Sequence, residues 1–337
     1  SMALHHLEWT GDLALAGALF DDLARILDWE ERLLDPDGDG LYQNFLNTWI
    51  SDGHSYNGGG CAQASAYNLQ ANRIMAGLAD RLGRPAEKFR ARAEKISAAL
   101  NTILWLPANE VLAEFVDTIG NKLVHPSPEL ATLYLAVECG AVDPFQACQM
   151  LRFAETELRR VRTPSRNGRL VYSSNWYPKK YSTCGLFPAE NMHLAWAYYR
   201  MGWKTEGWAL LTALVECFFS GNQPGQVSHV LAGAGASDLG DLDFTDVSSL
   251  YLRLVVEGLF GVRANRMDGT VDIAPNFPAE WPHAALTVGD LSLAYTRDGV
   301  RETLTAQGAD DAVKRFRLPL RANRVEGVWV NGAAAEY

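Results

Sequence analysis

The run CAQASAYNLQANRIMAGLADRLGRPAEKFRARAEKISAALNTIL, residues 61–104, decides the fold. Cys61–Leu82 places apolar residues at helical spacing with polar ones between them. Gly83-Arg84-Pro85 interrupts the pattern and Ala86–Leu104 resumes it, with Pro85 where a helix begins. Two helices joined so tightly make an αα-hairpin. The unit recurs as Ala131–Cys139 with Pro144–Val161, broken at Gly140 and Asp143-Pro144, and as Ala189–Met201 with Thr205–Phe219, broken at Gly202. Asp12–Leu33 is a further helix, ended by Asp35-Pro36-Asp37-Gly38, and Ser248–Leu259 is the last.

Between these short turns lie long loops rich in glycine, aromatics and acids. A ring of helical hairpins collects its short turns on one face and its long loops on the other, where a site can form. The expected fold is therefore mainly α, an (α/α)6-type helical toroid over residues 1–262. Eight or nine helices are legible where six hairpins need twelve, so the toroid reads either as incomplete or as holding further helices inside its loops. After Met267 the character changes to strands: Thr270–Ala274, Leu291–Thr296, Arg301–Gln307, Val313–Leu320 and Gly327–Val330, with Asn331-Gly332 as a hairpin turn. Residues 263–337 are expected to form a small antiparallel β-sandwich segment.

Composition narrows the function classes. Of 337 residues 48% are apolar and 21% charged, and the formal charge of −10 leaves no basic stripe for phosphate neutralisation. No nucleic-acid partner is expected. The densest cationic run, KFRARAEK at 88–95, alternates with apolar positions as the solvated side of a helix does. No apolar run approaches the ~18 residues of a bilayer span, so no membrane partner is expected either. Ser1-Met2 reads as a tag-cleavage remnant, which leaves the compartment open between bacterial periplasm and cytoplasm. Cys61, Cys139, Cys148, Cys184 and Cys217 are odd in number and lack CxxC spacing, which suits reduced, mostly buried thiols.

Four loops carry candidate chemistry. The first, DPDGDGLYQNFLNTWISDGHSYNGGG at 35–60, gathers Trp49, Asp52, His54, Tyr56 and Asn57 before three glycines. Aromatic faces cover the CH surface of a sugar, carboxylates and amides bond its hydroxyls, and glycines let backbone approach. Asp52 suits a general acid if apolar surroundings raise its pKa; Asp52-Gly53 and Asn57-Gly58 are equally plain turns. Asp35, Asp37, Asp39 and Gly40 match the first half of a calcium loop, but its twelfth position is Leu46, so a structural turn is preferred over Ca2+.

In the second loop, AEFVDTIGNKLVHPSPEL at 113–130, Glu114 and Asp117 stand three apart, followed by His125 and Glu129. Paired carboxylates are what glycosidases need. The third, 170–196, offers Trp176 for stacking and then Glu190, Asn191 and His193 at a helix start, where the dipole stabilises an anion. A capping role would explain Glu190 as well. The fourth, SDLGDLDFTDVSS at 237–249, places Asp246 before the last helix as a sugar ligand or an N-cap. No P-loop, GxGxxG, HExxH or GxSxG is present, and no cofactor is expected.

These segments resemble the six-hairpin, (α/α)6-toroid glycoside hydrolases, in a bacterial branch found in polysaccharide-utilising organisms. The likeness is carried by NFLNTWISDGHSYNGGGCAQASAYN, AEFVDTIGNKLVHPSPEL, SSNWYP, PAENMHLAWAYY and VVEGLFGVRANRMDGTVDIAPNFPAEWPHAAL, spread from about Leu33 to Leu286. The last run looks like a toroid-to-sandwich junction. A weaker likeness joins Asp52–Ala76 to the glucosylceramidase-type β-glucosidases, although Trp49-Ile50-Ser51 replaces the Thr-Tyr-Asp surroundings of that family's acid. The resemblance implies an exo-acting glycoside hydrolase that removes a terminal sugar from a plant or microbial oligosaccharide with two carboxylates. Asp52 would be the acid, and Glu114, then Glu190, its partner, with Asp117 nearby. A polysaccharide lyase using His54 or Tyr56, and a non-catalytic carbohydrate-binding fragment, stay open as alternatives.

Overall fold

The computed structural model of the chain describes residues 2–44, 59–163, 169–177, 184–220, 230–231, 239–240, 245–308, 311–319 and 324–336. Among them are nine α-helices: α1 (Met2–Thr10), α2 (Leu13–Leu34), α3 (Ala62–Arg81), α4 (Glu87–Ala99), α5 (Leu130–Glu138), α6 (Pro144–Thr156), α7 (Pro188–Arg200), α8 (Lys204–Ser220) and α9 (Thr245–Arg253). Two of them end in a π-helical turn, α4 over Leu100–Leu104 and α9 over Leu254–Leu259. No described helix is long and apolar enough to cross a membrane.

Burial sorts the helices into two kinds. α4 buries one stripe, Phe89, Ala93, Ile96 and Ala99, and α2 buries Ala16, Phe20, Ala24 and Leu27. That is the spacing of a helix with one face on the core. α5 buries every residue from Leu130 to Val137, and α7 eleven of its thirteen. Such helices are packed on all sides. α3 packs on α4 and α5, α5 on α7, and α7 on α8 and α9. α1 joins α2 and α3 through a cluster of Leu4, Leu7, Phe20, Met75 and Leu78, and its His5 reaches Glu257 beyond α9.

The tight turns follow from their residues. Gly83, Gly140 and Gly202 each follow a helix in the left-handed conformation that a side chain disfavours. Asp143 accepts from the Phe145 and Gln146 backbone N–H groups while the Gln146 side chain takes the Asp143 N–H, a complete capping box with Pro144 behind it. Asp143→Ala is expected to cost about 1 kcal/mol, read as a lower urea midpoint with an unchanged slope.

Two helix boundaries differ from the sequence reading, and one helix is additional to it. α6 stops at Thr156 rather than Val161, because Arg160–Arg162 pairs as a strand with Arg169–Val171. α1 was not anticipated, since its nine residues show little periodicity. α9 starts at Thr245, which puts Asp246 inside its first turn and not at the cap.

One close approach fixes three helices. A Cβ on Gly207 of α8 or on Gly258 after α9 would stand 2.9 Å from the ring of Tyr199 on α7, so the ring lies between two bare backbones.

Short strands border the helices and then replace them. β1 (Gly60–Cys61), β2 (Phe115–Val116) and β3 (Val124–His125) form an antiparallel sheet, with Cys61 opposite Phe115 and Phe115 opposite His125. Further on, β4 (Val262–Asn265) pairs antiparallel with β5 (Thr270–Ile273), and β5 pairs parallel with β9 (Val313–Phe316). β6 (His283–Val288), β7 (Leu291–Asp298) and β8 (Arg301–Gln307) make an antiparallel sheet. β10 (Val328–Val330) and β11 (Ala333–Ala335) close a hairpin at Asn331-Gly332, both at positive φ. Val262, Ile273, Phe277, Leu293 and Tyr295 belong to the same hydrophobic cluster as the buried helix residues, with Trp281 edge-on to Trp208 of α8. No disulfide links the five cysteines, four of which are buried.

Candidate active site

Glu114 sits where the β1–β2–β3 sheet meets the starts of α3 and α5. Its backbone is fixed by Ala62 N–H donating to its carbonyl and by its own N–H donating to the His125 carbonyl. The side chain turns inward and is fully buried. One oxygen accepts from Gln63 Nε2 at 2.9 Å; the other accepts from the Glu129 N–H and the Thr132 hydroxyl, both at 2.7 Å. Gln63 Nε2 also lies 3.4 Å from an oxygen of buried Glu129, so one amide spans two carboxylates. Three donors at these distances make Glu114 an anchor for the start of α5.

Asp117 does not join it. The β2–β3 hairpin sends Asp117 outward, 2.9 Å from His125 Nε2, and the His125 ring stacks on Phe115 with centroids 3.9 Å apart.

Glu190 lies in the first turn of α7 and is fully buried. Tyr134 Oη on α5 donates to its Oε1 at 3.0 Å. Burial, then the Glu190 charge, raises the Tyr134 phenol well above its ordinary value, so the hydroxyl keeps its proton and Glu190 is held as the acceptor. The Tyr134 ring stacks on His193 with centroids 4.5 Å apart and 5° between planes. His193 Nδ1 is 3.4 Å from Glu138, and Arg253 bridges Glu138 at 2.7 Å and Glu257 at 2.9 Å. Glu257 also takes the Trp196 indole N–H and His5 Nε2. This network ties α1, α5, α7 and the α9 extension together.

Two of its groups, Glu138 and His5, are shifted far from their ordinary values. Burial pushes the Glu138 carboxyl up, but the His193 hydrogen bond and the Arg253 charge outweigh it and hold it at about 2. The hydrogen bond to Glu257, followed by that to Glu8, raises His5 to about 9. Glu138 therefore contributes stability that is present above its ordinary 4.5 and lost as pH falls towards 2; His5 contributes stability present below 6.5 and lost as pH rises through 9. The expected melting temperature is highest between those limits. His5→Ala should flatten the fall between pH 6.5 and 9 and leave the acid limb intact.

Tyr67, one turn beyond Gln63 on α3, is 53% exposed, with protein packed around the rest of its side chain. That crowding, with Glu138, Cys139 and Glu190 adding to it, raises its phenol. Tyr67 thus brings solvent and an aromatic face within the field of Glu190.

The remaining candidates divide plainly. Asn191 spends its amide on backbone: Oδ1 accepts from Val171 N–H at 2.8 Å, and Nδ2 donates to the Val171 and Phe187 carbonyls at 2.9 Å. Trp176 Nε1 donates to the Ser127 carbonyl at 2.9 Å, which fixes the indole over that loop. Oxygens of Asp35, Asp37 and Asp39 lie within 4.8 Å of one another, but Lys95 takes Asp35 at 2.7 Å, Lys122 takes Asp37 at 3.2 Å, and Asp39 accepts from the Leu41 N–H. With two lysines already neutralising it, this cluster is a turn. Trp49, Asp52, His54, Tyr56 and Asn57 lie outside the described residues. Gln63, Tyr67, Tyr134, Glu138, Arg253 and Glu257 escaped the sequence reading because each sits inside a helix whose pattern reads as structural.

No protein-family model matches the sequence, and no curated protein matches it. Solved structures do. A GH78-family rhamnosidase of Bacillus sp. GL1 superposes with a TM-score of 0.69 at 15% identity, over 94% of this chain and 32% of that one. The chain therefore spans about a third of the rhamnosidase. The GH63 mannosylglycerate hydrolase of Thermus thermophilus, in complex with glucose, superposes at 0.53 and 14% identity over 74% and 73% of the two chains. The same hydrolase with Tris and D-glycerate gives 0.54 at 13%. At these identities the likeness is one of fold, and the fold this chain shares is that of helical glycoside hydrolases.

Proposed function

We propose that the chain is the toroidal core of an exo-acting glycoside hydrolase, with residues 1–262 as the catalytic helical part and 263–337 as its β-sandwich segment. Its substrate would be a plant or microbial oligosaccharide from which a terminal sugar is removed. The observation that carries this is the buried Glu190, which is held as an acceptor by Tyr134 Oη at 3.0 Å and whose charge is felt by the half-exposed Tyr67 phenol. A buried carboxylate that accepts a phenol hydrogen bond near an aromatic face suits the base or nucleophile of a two-carboxylate mechanism. Asp52, from the aromatic-rich loop, is its proposed acid partner, and Trp49, His54, Tyr56 and Asn57 the proposed sugar contacts.

This ordering places Glu190 ahead of Glu114. Three donors from Gln63, Glu129 and Thr132 commit Glu114 to the start of α5, whereas Glu190 takes the Tyr134 phenol, whose ring stacks on His193 of the titrating network. The lyase alternative wants a cation for a uronate carboxylate; Arg253 and Lys122 are both engaged by carboxylates. The test is release of aglycone from a panel of aryl glycosides, including rhamnosides and glucosides, together with reducing-sugar release from oligosaccharides. Turnover that disappears in Glu190→Gln supports the reading. An unsaturated product absorbing in the ultraviolet would replace it with the lyase, and binding without turnover with the carbohydrate-binding fragment.

A further inference from the structure

A second charged region lies on the β4–β5–β9 sheet, within the field of Arg200 at the far end of α7. On β4, Val262 and Ala264 point into the core, so Arg263 between them points to the other face. The registers place Arg263 opposite Asp272, and Asp272 opposite Arg315, in one row across three strands. Residues directly opposite on one face lie ~5 Å apart between Cβ atoms. Arg317, two residues beyond Arg315, continues the same face, and its N–H donates to the Ile273 carbonyl to hold it there. Arg200, in the last turn of α7, extends over the Trp196 ring with its guanidinium 5.5 Å from the centroid.

The chain as a whole is acidic, with a formal charge of −10, yet this face is cationic. Among the described residues, no carboxylate comes within ion-pair distance of Arg200, Arg263, Arg315 or Arg317, and none of the four side chains is hydrogen-bonded. Asp272 is exposed and supplies one negative charge to the row. Glu257 is within the field of Arg263 but is already shared by Arg253 and His5. The guanidinium of Arg263 is half-buried. Burial, then repulsion from Arg200, lowers its pKa to about 10, with Arg317 adding to the repulsion. Natural proteins seldom gather like charges around a half-buried one without something to neutralise them.

We propose that Arg200, Arg263, Arg315 and Arg317 form an oxyanion site on this cationic face, built for a doubly charged tetrahedral group of the sulfate or phosphate type. Four guanidiniums share Asp272, and the nearby Glu138 and Glu257 are already paired with Arg253, which leaves a positive excess that a single further carboxylate would not neutralise. Guanidinium forks also match tetrahedral oxyanions with paired N–H donors. The site does not depend on the hydrolase reading, since no residue of the proposed catalytic group belongs to it. The anion can be a free ion or a group carried on an acidic saccharide, and the chemistry recognised is the same.

The test is titration of the full chain with sodium sulfate and sodium phosphate against sodium chloride at matched ionic strength, read by calorimetry and by melting temperature. A saturable sulfate response, weakened at least tenfold in Arg263→Gln and in Arg200→Gln but unchanged in Arg25→Gln on the exposed face of α2, is expected. A response that rises linearly and is shared by all variants is the general exclusion effect of sulfate and overturns the site. So does the absence of any saturable heat in the unaltered protein. Should Arg263→Gln not fold, Arg317→Gln at the exposed edge takes its place. A second arm compares a sulfated oligosaccharide with its neutral counterpart. Tighter binding of the sulfated sugar than of inorganic sulfate identifies an anion delivered on a saccharide, and equal affinity identifies the free ion. Either result supports the site.

Discussion

Glu190→Gln is expected to lower glycoside turnover by roughly 10²–10⁴-fold, the range that a positioned acid–base group supplies. The substitution keeps the volume and the hydrogen bond from Tyr134, so the fold should persist with a melting temperature close to that of the parent. What it removes is the charge. A carboxylate in the first turn of α7 is stabilised as an anion by the helix dipole, and a neutral amide there can neither accept a proton nor attack an anomeric carbon. Tyr134→Phe supplies the companion result. Without the phenol the carboxylate loses its fixed acceptor geometry, so turnover should fall by a smaller factor and the acid limb of its pH profile should move. Full activity in Glu190→Gln, with the variant shown to be folded, removes Glu190 from the mechanism.

The second large effect is on stability. Glu114→Ala leaves the Gln63 amide, the Thr132 hydroxyl and the Glu129 N–H without their shared acceptor in a fully buried place. At about 1–3 kcal/mol for each buried group left unsatisfied, a loss of roughly 3 kcal/mol or more is expected. Urea unfolding should show it as a lower midpoint. Glu114→Gln keeps two acceptor lone pairs and should lose less. At a temperature where both variants are folded, their turnover should stay near that of the parent. A Glu114→Gln protein of normal stability and negligible turnover would reverse the roles assigned to Glu114 and Glu190.

The hairpins were legible because local chemistry writes them. Gly83, Gly140 and Gly202 mark helix ends, Asp143-Pro144 a helix start, and Asn331-Gly332 a strand reversal, and each signal spans only a few residues. The strand His283–Val288 was missed, since HAALTV alternates too weakly to separate from a loop. The π-helical ends of α4 and α9 have no mark in the sequence that helical periodicity reveals. The network at the helix ring lay further out of reach. Glu138 and Arg253 are 115 residues apart and meet only because α5 and α9 both flank α7. Glu114 and Asp117 illustrate the converse: proximity along the chain suggested a pair, and a strand with side chains on alternate faces sends one inward and the other out.

The Tyr199 ring, held between the backbones at Gly207 and Gly258, has a consequence for how the molecule opens. With 2.9 Å to either missing Cβ, neither α8 nor the end of α9 can slide past α7 without displacing the ring that both of them hold. In the language of native-state exchange, the amides of α7, α8 and the α9 extension should belong to one cooperative unit and lose protection together. The outer stripe of α2, which touches its neighbours along one face only, can fray while that unit stays closed.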